Sequence, residues 1–107
     1  MSGFDLKYFP SEAMRFSVEA QTADFTAENG KIYAINPAGA SLNIQLPAPV
    51  ANFHCVLKDL SGDLLNKTVT IVRNGTENID GQAANKLMQS DYESVMLFSD
   101  GVDWYVL

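Results

Sequence analysis

The chain has 107 residues, a single-domain length with room for only a small core. Hydrophobic residues make up 47% of it, which excludes a disordered composition, and no apolar run reaches the length of a transmembrane helix. A net charge of −6 and a pI near 4.4 argue against a phosphate-backbone partner, so neither nucleic acid nor membrane is expected as a ligand.

Residues 1–13 do not alternate. Phe4, Leu6, Tyr8 and Phe9 form an apolar cluster between Gly3 and Pro10, read here as an extended N-terminal arm that binds a partner. A body domain is expected over residues 14–107. Its first strand is expected at 14–21, with Met14, Phe16, Val18 and Ala20 on a buried face. Asn29-Gly30 marks a turn, because both residues tolerate positive φ. A strand over 31–36 is apolar on both faces, and Pro37-Ala38-Gly39 breaks it. Residues 41–46 alternate most cleanly, with Leu42, Ile44 and Leu46 on one face and Pro47 as the stop.

Further strands are expected at 53–58 and 68–73, the latter rich in β-branched residues. Turns follow at Asn74-Gly75 and Asp80-Gly81. Residues 82–89 fit either a short helical turn or an irregular strand. Strands at 93–98 and 102–107, joined by Asp100-Gly101, form a C-terminal hairpin. The spacing of strands and turns predicts an all-β fold, a compact antiparallel β-sandwich or small barrel carrying the arm. Two strands, Ile32-Tyr33-Ala34-Ile35 and Val95-Met96-Leu97-Phe98, have large residues on both faces. One face fills the core; a loop or another subunit must cover the other. Tyr33, Met96 and Phe98 are accordingly the candidate subunit interface.

Catalytic chemistry has little to work with. His54 and Cys55 are the only residues of their kinds, and neighbours in a strand point to opposite faces. Zinc needs more ligands of these types than the chain has. The loop aspartates Asp59, Asp63, Asp80, Asp100 and Asp103 lack calcium-loop spacing and suit turns, next to glycine in two cases. A paired-carboxylate glycosidase site needs a cleft that such short loops leave little room for. No catalytic residue, metal or cofactor is therefore expected. Trp104 is expected as a core anchor, with a sugar-stacking platform at Trp104 or Tyr105 as the functional alternative. The single cysteine excludes an intrachain disulfide, and the N-terminus lacks a signal-peptide layout, so synthesis in a cytoplasm is expected.

Five segments occur in a fixed order: NIQLP, VLKDLSG, TVTIVRNG, NIDG and ESVMLFSDGVDWYVL. Together they resemble a small all-β structural module of tailed bacteriophages, found in tail fibres, spikes and virion-surface proteins. The resemblance covers about residues 21–107. It implies a non-enzymatic virion protein that assembles as a homotrimer. About twenty residues precede the module, so the expectation is a small free-standing protein. A capsid decoration (cement) protein, held on the major capsid protein by its arm, fits best. A tail-fibre or tail accessory module, receptor-binding and taking a host-surface glycan, is the alternative.

Overall fold

The computed structural model describes residues 17–107. The expected arm over residues 1–13, with Phe4, Leu6, Tyr8 and Phe9, lies outside the described residues, as do Met14 and Phe16. Nine strands follow in order: β1 (Ser17–Gln21), β2 (Phe25–Thr26), β3 (Lys31–Ile35), β4 (Ser41–Gln45), β5 (His54–Asp59), β6 (Thr68–Val72), β7 (Lys86–Met88), β8 (Ser94–Ser99) and β9 (Trp104–Val106). Among the described residues there is no helix and no closed barrel; the strands form two sheets.

The expected antiparallel arrangement needs correction. The five-stranded sheet runs β1-β3-β5-β8-β9 and the four-stranded sheet β2-β4-β6-β7. From β1 to β6 the chain alternates between sheets, so each strand pairs with the next but one, and that pairing is parallel. Only the last part is antiparallel: β5 with β8, β6 with β7, and β8 with β9. The physical cause lies in the turns. A turn that doubles the chain back within one sheet gives an antiparallel pair, whereas one that carries it to the opposite sheet returns the strand after next in parallel. The turn at Asn29-Gly30 does the second, leading from β2 to β3 in the other sheet. The expected C-terminal hairpin is present as β8–β9, although β9 begins at Trp104. The open segment 82–89 contributes strand β7.

The core lies between the sheets. Tyr33 and Ile35 of β3, Cys55 and Leu57 of β5, and Val95 and Leu97 of β8 point inward from one sheet. Leu42 and Ile44 of β4, Val69 and Ile71 of β6, and Met88 of β7 meet them from the other. The clean alternation expected over 41–46 is seen, with Leu42, Ile44 and Leu46 fully buried. In β1 the expectation was reversed: Val18 is 66% exposed, so the apolar set of that strand faces outward. A 2.6 Å ion pair from Lys31 to Glu19 helps hold β1 beside β3.

Turn residues do more than turn. Asp59 is fully buried at the end of β5. Its Oδ1 accepts from the Ser61 amide at 2.9 Å and from Ser61 Oγ at 2.7 Å. Its Oδ2 accepts from the amides of Gly62 at 3.0 Å and Tyr92 at 2.9 Å. This pins the loop after β5 to the loop before β8. Near the C-terminus, Asp80 Oδ1 accepts from the Val106 amide and Asp103 Oδ1 from the Asn78 amide, each at 2.9 Å. Backbone bonds between Asn78, Asp80 and Trp104 complete that clamp. The buried Ser99 donates from Oγ to the Asp103 carbonyl and accepts from the Gly101 amide. The KDLSG, NIDG and SDG segments are thus loop locks built from short polar side chains.

Candidate interaction surface

The two sheets present different outer faces. Alternation forces this: once every second residue of a strand enters the core, the others look away from it. On the four-stranded sheet the outward residues of β4 and β6 are mainly polar, with Ser41 beside Thr68 and Asn43 beside Thr70. On the five-stranded sheet they are mainly apolar, with His54 and Lys58 of β5 and Ser94 of β8 as polar members toward the strand ends. Val18, Ile32, Val56 and Met96 are directly paired in register and form one row across β1, β3, β5 and β8. A second row, His54, Phe98 and Tyr105, crosses β5, β8 and β9. Val56 lies at the centre of the face because β5 is the middle strand. No outward position of these five strands carries a carboxylate, in a chain with 13 Asp and Glu against 7 Lys and Arg.

Of the three residues expected at a subunit interface, Met96 and Phe98 lie on this face, each half-buried. Tyr33 does not, and that part of the expectation is corrected. It is 1% exposed, its ring lies 4.5 Å from Phe25, and its hydroxyl accepts from the Glu28 amide at 2.8 Å. A phenol that fills core volume and also meets a backbone donor has no reason to face solvent. Sequence reasoning missed Ile32 and Val56 as members of the face. The usable signal was parity: with Tyr33 and Ile35 facing in, Ile32 must face out.

The other singled-out residues occupy structural positions. Cys55 is fully buried, and burial pushes its thiol pKa up to about 12. At neutral pH it is a protonated, apolar side chain. His54 is on the opposite face, half-buried, with Nδ1 2.9 Å from the Asn52 carbonyl oxygen. Trp104 is fully buried and meets Phe53 edge-on at 5.0 Å, which removes it as a sugar platform. Tyr105 faces outward, stacks on Phe98 at 5.5 Å and donates its hydroxyl to Asp100 Oδ2 at 3.2 Å. A shallow groove beside this pair is lined by Asn52, Phe53, His54, Met96, Phe98 and Ser99. Among the described residues no group of three or more His, Cys, Asp or Glu side chains is placed to hold a metal ion.

No protein-family model matches this chain, and no curated protein matches it.

Proposed function

We propose that the chain is a non-enzymatic virion structural protein: a homotrimeric capsid decoration protein held on its particle by the N-terminal arm. One observation carries the reading most. The body has an apolar, carboxylate-free outer face on one sheet and a mainly polar one on the other. A protein that works alone in water gains nothing from an apolar face on one side only. A protein that packs into an assembly needs one face for its neighbours and another for solvent. The buried, protonated Cys55 and the core position of Trp104 support the same reading, since neither is available for chemistry or sugar stacking. The arm supplies a separate contact through Phe4, Leu6, Tyr8 and Phe9, and three arms acting together bind more tightly than one.

The test is co-purification with particles. The full chain should travel with capsids at a fixed stoichiometry, and cryo-electron microscopy of the particle should locate it. A variant lacking residues 2–12 should remain a folded oligomer and lose particle binding. Unchanged binding by that variant would remove the arm from the proposal.

The stacked Phe98–Tyr105 pair favours a second reading, a tail receptor-binding module that stacks a host-surface glycan on Tyr105. In that case Tyr105→Ala should abolish glycan binding measured by saturation-transfer NMR. Tryptophan fluorescence is a poor reporter here, because Trp104 is buried.

A further inference from the structure

We infer that the outer face of the five-stranded sheet is the surface on which copies of this chain meet, with Val56 at its centre. The inference rests on the oligomeric reading above and adds the surface and its occupant.

Charge argues for a second copy. Two molecules that each carry a net charge of −6 repel one another, and burying a carboxylate between them adds desolvation to that repulsion. Self-association therefore requires a patch free of acids. The outward positions of β1, β3, β5, β8 and β9 form such a patch, bounded by the Lys58 and His54 positions of β5. A strongly basic partner would instead be met by an acidic face, and the strands of this face offer no acid; Asp100, which accepts from the Tyr105 hydroxyl, stands at its edge in the loop before β9.

Size agrees. Strands of five or six residues, spaced as in any sheet, make a face roughly 20 Å by 24 Å. In the trimer proposed above each face is shared between two neighbours, so the three faces together remove on the order of 1,400 Å² from water around the axis, enough for a specific assembly. The contact is thus large enough to specify an assembly and small enough that one charge at its centre disrupts it. The residues also fit each other. The row Val18–Ile32–Val56–Met96 is aliphatic and thioether throughout, and Met96 is a side chain that adapts to a neighbour's contour. The mainly polar face of the other sheet is then left to solvent.

The experiment is sedimentation of the full chain across micromolar concentrations, with circular dichroism to establish folding. The wild type should sediment at a multiple of its 11.7 kDa chain mass. Val56→Lys and Met96→Lys should remain folded and shift to the single-chain mass, while Thr70→Lys on the other sheet should leave the mass unchanged. As a gain-of-signal check, Met96→Cys should form an interchain disulfide under mild oxidation; Cys55 is buried and does not compete. A folded Met96→Lys protein with wild-type mass, and no crosslink from Met96→Cys, would overturn the inference and leave the oligomeric reading standing. A wild-type mass of two chains with both lysine variants monomeric would keep the surface and correct the trimer. A wild-type mass of one chain would overturn both. Dissociation only when residues 2–16 are deleted would assign the contact to the N-terminal segment and overturn the inference.

Discussion

Asp59 accepts from four donors while excluded from solvent, and the loops at one end of the body depend on it. Burial alone would raise its pKa. The hydrogen bonds from Ser61, Tyr92 and Gly62 outweigh that, and the carboxyl is held below its ordinary value. A carboxyl whose folded pKa is lowered stabilises the protein fully above its unfolded value of about 4, and loses that contribution as pH falls through the folded value. Unfolding free energy, measured by urea titration between pH 6 and pH 2, should fall on the acid side. In Asp59→Asn the acid-side slope should be shallower and the starting stability lower. Asp59→Ala leaves the three amides without their acceptor and should cost about 2–4 kcal/mol. Gly62 adds a steric requirement to the same lock. Its φ is +64°, and an added Cβ would come within 2.5 Å of the Tyr92 ring. Gly62→Ala should therefore destabilise by about 1–3 kcal/mol in the same titration. Cys55 gives a simpler readout: its thiol should resist a disulfide reagent at pH 8 in the folded protein and react promptly in denaturant.

Individual strands were legible, because each is a local pattern. The alternation of Leu42, Ile44 and Leu46 and the β-branched run Thr68–Val72 could be recognised from a few consecutive residues. Pairing was not legible, because it is decided by what a turn does in three dimensions. Asn29-Gly30 is as good a turn between sheets as within one, so an antiparallel fold was expected where β1 to β6 pair in parallel. The two-residue strand β2 is too short to leave a periodic signature. Half of the candidate face was legible for a related reason. The apolar character of both faces of β3 and β8 was visible, but which face of β3 entered the core depended on Tyr33 finding Phe25 and the Glu28 amide. The last strand tests how elements depend on each other. Trp104 lies in β9, and Asn78 and Asp80 bind the backbone of that strand from a preceding loop. Trp104→Ala should cost about 3–5 kcal/mol in chemical denaturation, since it empties the core and loosens the clamp together.

For the molecule as a whole, the winding sets both folding rate and growth. Every parallel pair joins strands separated by a visit to the other sheet, so little native contact forms locally. Stopped-flow refolding should take milliseconds to seconds, not microseconds. The same winding has a consequence for architecture. Among the described residues the β1-to-β6 region repeats one pattern, a strand in each sheet per pass, and the antiparallel strands β7 to β9 follow it. Each pass adds one strand to each sheet, as a repeat unit adds to a solenoid. A second copy of residues 31–53 placed in tandem should therefore lengthen the protein by one pass and still unfold cooperatively. Chain length then becomes a parameter that duplication can change without redesigning the antiparallel strands.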